Sequence, residues 1–165
     1  MKKIIAVGNA GGNIADSIRE QGIGIEDTEF VYLDTDKESL YNHGEKTDHH
    51  IHLSNAEAVK DFTDEIIEGL DMVIVTAGLG GATGSQCSAS IGCAAAKAGI
   101  KTTAFVSLPF FFEGEKKNVK AIECLERLKD VFDEVFVQEN DHLYGGFCMG
   151  EFDTTLCDKY AKRYG

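Results

Sequence analysis

Short apolar runs alternating with helical stretches predict an α/β fold: a Rossmann-like three-layer sandwich around a mainly parallel sheet of about six strands. A second observation agrees. Two Gly-rich segments, GNAGGN and GLGGATGSQ, stand directly after the first and fourth apolar runs. Right-handed crossovers gather ligands at the carboxyl ends of such strands, so both segments fall on one edge, where a ligand would sit.

KKIIAVG, residues 2–8, reads as a buried strand, and 13–21 as a helix ended by Gly22. EFVYLDTD (29–36) is a second strand and HIHLS (50–54) a short third. A capping box, Ser54 with Glu57, then opens a helix in which Val59, Phe62, Ile66 and Leu70 share one face. DMVIVTAG (71–78) is the fourth strand. The helix over 85–98, closed by Gly99, is almost entirely Ala, Ser, Cys and Gly. Side chains that small let it lie close on the sheet, which accounts for Cys87, Cys93 and the alanines. KTTAFVSLP (101–109) is the fifth strand, Val119, Ile122, Leu125 and Leu128 mark an amphipathic helix, and 133–138 is the sixth strand. A last helix starts near Glu151.

Residues 1–165 suit a single domain with a core that needs no staples. The net charge of −12, from 28 acidic and 16 basic residues, argues against nucleic-acid binding, which needs basic patches. It leaves room for a small anion held by backbone amides. The initial apolar run is too short for a signal peptide or a membrane segment, and a cytoplasmic protein is expected. Cys87, Cys93, Cys124, Cys148 and Cys157 show no CxxC spacing and read as reduced thiols.

GLGGATGSQ, 78–86, is the strongest functional signal. Its amides, with the hydroxyls of Thr83 and Ser85, suit a phosphate nest at a helix N-terminus. GNAGGN, 8–13, is neither the dinucleotide pattern GxGxxG nor a Walker loop; alone it reads equally as a tight turn. LDTD, 33–36, offers a carboxylate to a ribose or to magnesium, or a helix cap. In FFFEGEKK, 110–117, Glu113 could accept from a ribose hydroxyl and Lys117 could reach the sugar or phosphates; the alternative is a solvated helix start. HHIH, 49–52, places His50 and His52 on one strand face, but no carboxylate or Cys at ligand spacing joins them. No metal site and no catalytic residue is assigned.

Taken in order, GNAGGN, LDTDKESL, AGLGGATGSQ, LPFFFEGEKK and QENDHLY resemble the nucleotide-binding domain of the tubulin/FtsZ family. The match runs from residue 3 to about 145, and five ordered motifs make it specific. The resemblance implies a cytoplasmic GTPase of cell division or the cytoskeleton that binds GTP or GDP with magnesium and self-associates head to tail. It implies nucleotide contacts at Gly8, Asn9, Ala10, Gly11, Gly12 and Asn13 in the first loop and at Thr35 and Asp36 after the second strand. It adds Gly78, Gly80, Gly81, Ala82, Thr83 and Gly84 in the main loop, then Pro109, the ribose Glu113, Lys117 in place of the family's Arg, and the base-stacking Phe152.

The departures point further. Ala82, Ser85 and Gln86 replace the family's Gly, Thr and Gly, and HIHLS runs straight into the next helix where the family has its γ-phosphate-sensing loop. Leu156 falls where Asn or Asp would read the base. The family's catalytic loop and second domain lie beyond residue 165, so weak or absent autonomous hydrolysis is expected. Three readings follow. One is a guanine-nucleotide-binding domain. Another is a non-enzymatic protein that caps or modulates filaments of a complete FtsZ relative. The third is a nicotinamide-binding oxidoreductase using Asp34 or Asp36, which rests on fold analogy alone.

Overall fold

The computed structural model describes residues 1–139 and 149–165, with side chains described for 1–138, 156 and 158–165. Six strands form one sheet in the order β3-β2-β1-β4-β5-β6. They are β1 Lys2–Val7, β2 Thr28–Asp34, β3 His49–His52, β4 Met72–Gly78, β5 Lys101–Leu108 and β6 Glu134–Glu139. Every neighbouring pair is parallel. The order reverses between β1 and β4, the switch point at which open α/β sheets bind ligands.

Both faces are covered, as near-continuous apolar strands require. Alternate residues of β1 point to opposite sides. Ile5 and Val7 join one core with Val31, Val75 and Val106, beneath α3 (Thr63–Ile67), α4 (Ala82–Lys97) and α5 (Glu115–Val131). Ile4 and Ala6 join the other with Ile14, Ile18, Tyr32 and Phe105, beneath α1 (Gly8–Gln21), α2 (Lys37–Tyr41) and α6 (Met149–Tyr164). Tyr160 of α6 is fully buried there, and its hydroxyl donates to the Gly24 carbonyl at 2.7 Å.

Several local expectations need correction. α1 begins at Gly8 and α4 at Ala82, so both Gly-rich segments are largely first helical turns rather than loops. A left-handed Gly8 (φ 73°) turns the chain from β1 straight into α1. The helix expected after Ser54 is a 3-10 turn, Ala56–Asp61, followed by the short α3. Asn55, not Ser54, caps that turn, its side chain accepting from the Ala58 amide at 3.0 Å. Val59 and Ile66 are buried as read, whereas Phe62 and Leu70 are only partly so. On α5 the inward face is Ala121, Cys124, Leu125 and Leu128; Val119 and Ile122 are exposed. On α4, Cys87 is buried but Cys93 faces outward. Of the QENDHLY motif, Gln138 and Glu139 end β6, and the rest lies outside the described residues, as does Cys148.

Candidate functional site

A cleft of about 920 Å³ opens at the carboxyl ends of β1, β2, β4 and β5, over the switch point. Its volume lies within the roughly 300–1,000 Å³ usual for small-molecule sites. Val7, Asp34, Gly78, Ser107 and Leu108 are its lining at the strand ends.

Two helices start on this cleft, and their chemistry differs from that of their neighbours. Neither Val7 before α1 nor Gly81 before α4 caps the helix with a side chain, and neither first turn holds an acidic residue. By contrast, Asp36 caps α2 and Glu115 stands in the first turn of α5. The first amides of an α-helix have no partner within it, and the aligned peptide dipoles leave that end positive. Two such ends on one cleft suit an anion.

The expected residues divide between the cleft surface and the layer beneath it. Gly8, Asn9, Ala10, Asp36, Gly78, Gly81, Ala82, Thr83, Gly84, Pro109, Glu113 and Lys117 line the cleft. Gly11, Gly12, Asn13, Thr35 and Gly80 do not. Phe152 falls within α6, but its side chain lies outside the described residues. Leu156 is fully buried against the α1 side of the sheet and has no part in the cleft.

Many of the glycines answer to packing before they answer to any ligand. A Cβ on Gly11 would meet the Thr76 carbonyl oxygen at 2.3 Å, and one on Gly84 the Gly78 oxygen at 2.2 Å. One on Gly12 would meet the His43 ring at 2.5 Å. Gly11 and Gly84 bring α1 and α4 onto β4, and Gly12 makes room for His43. Gly81 is different: its Cβ would meet nothing within 4 Å. Among the described residues only Asp27 has a positive φ without being glycine, so Ala82 carries its methyl in an unstrained conformation.

The Thr83 hydroxyl lies 3.1 Å from that of Thr35, and Ser85 accepts from the Gly80 amide at 3.4 Å, which turns its hydroxyl to a structural task. Asp36 Oδ1 accepts from the amides of Glu38 and Ser39 at 3.0 and 3.3 Å, the helix-cap alternative. Glu113 accepts from Lys117 Nζ at 2.9 Å and from the Phe110 amide, so the two residues expected to reach the sugar hold one another. In β3, His50 stacks on Tyr32 and His52 Nε2 lies 3.1 Å from the Thr35 carbonyl. No group of three or more His, Cys, Asp or Glu suited to a metal ion occurs among the described residues.

Sequence reasoning missed a polar chain that leads from Asn9 on the cleft to the buried His43. Asn9 and Asp16 are two helical turns apart on α1 and so share a face. Between them stands His43, 7% exposed, with Nε2 2.9 Å from Asn9 Oδ1 and Nδ1 2.8 Å from Asp16 Oδ2. The Tyr32 hydroxyl and the Gly44 amide donate to Asp16 Oδ1 at 2.7 and 3.0 Å. Only the i, i+7 spacing hinted at this, and no motif marks His43.

Burial pushes the Asp16 carboxyl upward, but the hydrogen bonds from His43, Tyr32 and Gly44 outweigh it and hold it below its usual value. A carboxylate depressed in the folded state stabilises the protein above the unfolded carboxylate pKa and loses that contribution as pH falls through the folded value. Asp16→Asn is therefore expected to lower stability at neutral pH, with the gap to wild type closing below about pH 4, the ordinary carboxylate range. Urea unfolding of both proteins at the two pH values measures it; a gap that persists in acid would assign the loss to packing.

The sequence pattern of the Tubulin/FtsZ family, GTPase domain, matches residues 27–147. The chain belongs to the tubulin/FtsZ family. Among relatives of this tubulin/FtsZ-family chain, cell division protein FtsZ 1 of Archaeoglobus fulgidus is 37% identical over 159 residues, covering 86% of this chain and 42% of that protein. Cell division protein FtsZ of Haloferax mediterranei is 37% identical over 156 residues, covering 85% and 41%. The chain thus spans less than half the length of these relatives. The FtsZ dimer of M. jannaschii matches its fold with a TM-score of 0.77 at 26% identity, over 98% of this chain and 52% of that one. The GDP-bound CetZ1 monomer from Haloferax volcanii gives 0.76 at 19% identity over 98% and 58%, a likeness of fold alone. The six-stranded parallel sheet and its two helical layers accord with the FtsZ structure of M. jannaschii. No helix among the described residues is long and apolar enough to cross a membrane.

Proposed function

We propose that this chain is a single guanine-nucleotide-binding domain that holds GTP or GDP by its phosphates between the starts of α1 and α4. The observation that carries this reading is the pair of uncapped, acid-free helix N-termini on one cleft. The amides of Gly81, Ala82, Thr83 and Gly84 would take phosphate oxygens from one side, and those of Gly8, Asn9 and Ala10 from the other. Glu113 and Lys117 would exchange their mutual ion pair for contacts to the ribose. Magnesium would enter with the nucleotide, since it commonly keeps phosphate oxygens and water and needs only one or two carboxylates; Asp36 and Glu38 stand on the cleft wall to serve it.

We infer binding with weak or no hydrolysis by the chain alone. Asp34, Asp36 and Glu113 each already accept from the chain's own amides. No residue is assigned as the base that would activate water. Membership of the family supports work on a nucleotide in the cytoplasm, with self-association or assembly with an FtsZ-type relative. One observation favours the second reading, a filament-modulating role: Phe111 and Phe112 are 81% and 68% exposed, and Phe112 borders the cleft. A protein that docks on a relative's filament would cover such rings.

The test is equilibrium binding of fluorescent GTP, GDP and ATP, with magnesium, to the purified chain. Guanine nucleotides are expected to bind and ATP to bind at least about tenfold more weakly, a difference of about 1.4 kcal/mol. Absence of binding by all three, with co-sedimentation on a relative's filaments, would favour the modulator.

A further inference from the structure

We propose that the Asp16–His43 pair fixes the amide of Asn9 so that its NH₂ group, not its oxygen, faces the anion in the cleft. His43 is then a positioning residue acting through Asn9. The inference rests on the nucleotide reading above and adds a residue to it.

An ionised carboxylate only accepts, and Asp16 already accepts from Tyr32 and Gly44, so the proton between Asp16 and His43 sits on Nδ1. On the other side of the ring, Nε2 meets Asn9 Oδ1 at 2.9 Å, and Ser39 Oγ donates to the same oxygen at 3.3 Å. When His43 donates from both nitrogens, the Asn9 oxygen is tied back and its two N–H donors turn to the cleft, beside the uncapped start of α1. When Nε2 loses its proton, the amide must turn over to donate to it. Its oxygen then faces the phosphates and repels them. The ring cannot swing away instead: Gly12 lies flush against it, and Tyr32 stacks parallel with it at 6.4 Å. The titratable groups facing His43 are Asp16 from α1, Tyr32 from β2 and His50 from β3, whose Nε2 lies 2.8 Å from the His43 carbonyl. From α2 only the Ser39 hydroxyl takes part, through Asn9.

The experiment titrates the affinity of the whole chain for GDP and for guanosine between about pH 5.5 and 8.5, the range in which histidine commonly changes charge. GDP affinity is expected to fall about tenfold as pH rises, the loss of one hydrogen bond to a charged group, with guanosine unchanged. His43→Leu should hold GDP weakly at every pH. His43→Gln, which keeps a donor toward Asn9, should hold it tightly without the pH dependence. Wild-type pH dependence retained in His43→Leu, or GDP and guanosine weakening together, would overturn the proposal alone. A wild type that binds neither ligand would overturn the nucleotide reading and this inference with it. Should His43→Leu fail to fold, the ¹⁵N spectrum of the wild type decides. The Asn9 side-chain amide moves in step with the His43 ring if the inference holds, and stays fixed if it fails.

Discussion

Gly84→Ala is expected to destabilise the protein by about 2 kcal/mol, whereas Gly81→Ala changes stability by less than about 1 kcal/mol; overpacking commonly costs about 1–3 kcal/mol, and N-cap exchanges of this kind cost less. The two glycines stand three residues apart in one motif, and a phosphate-loop reading treats them alike. The geometry separates them. A methyl on Gly84 would lie 2.2 Å from the Gly78 carbonyl oxygen, and both contacting elements are backbone, so neither yields by rotating a side chain. The Gly84 carbonyl also accepts from Ser88 Oγ at 2.5 Å, which further holds the turn in place. Alanine in a helix interior gains up to about 1 kcal/mol over glycine, which offsets part of the clash but not all of it. Gly81 has an ordinary φ of −95° and open space where the methyl would go. Its methyl would enter the room that a phosphate needs. The expected pattern is therefore a stability loss for Gly84→Ala and, for Gly81→Ala, an affinity loss with a stability change under about 1 kcal/mol. Urea unfolding with GDP titration measures both; a Gly84→Ala protein as stable as wild type would mean that α4 does not lie so close on β4.

The same contrast shows what the sequence made legible. Apolar runs such as IIAV and VIVTA announce strands because a strand buried on both faces has no polar side to show. The two Gly clusters announced the cleft because they follow β1 and β4, whose carboxyl ends meet at the switch point. What each glycine does was not legible, since contact with Thr76 or Gly78 across the fold leaves no local mark. Helix starts were misplaced for a related reason. Gly and Ala read as loop, yet a left-handed Gly8 starts α1 without one. The α5 face was misread because Ala121 and Cys124 are small and carry less apolar signal than the exposed Val119 and Ile122. His43 was invisible because its partners, Asn9 and Asp16, are 34 and 27 residues away.

Ala82→Asp is expected to move stability and affinity in opposite directions. Residue 82 opens α4, where no acidic side chain now stands and no side chain caps the amides. A carboxylate there complements the helix dipole and should stabilise the free protein by about 0.5 kcal/mol. The same carboxylate would occupy the positive helix end proposed for phosphate and repel a second anion, a juxtaposition that costs several kcal/mol. GDP affinity should fall about 100-fold, or about 2.7 kcal/mol. Ala82→Asn separates charge from bulk: it should leave stability near wild type and lose far less affinity. Raising the salt concentration should narrow the gap between the two variants, because screening acts on the charge alone. Few other outcomes mimic this one. A variant that merely misfolds loses stability and affinity together, and a nucleotide bound elsewhere leaves affinity untouched while stability rises. Affinity untouched while stability rises would remove the start of α4 from the proposed phosphate site and leave α1 to account for whatever binding remains.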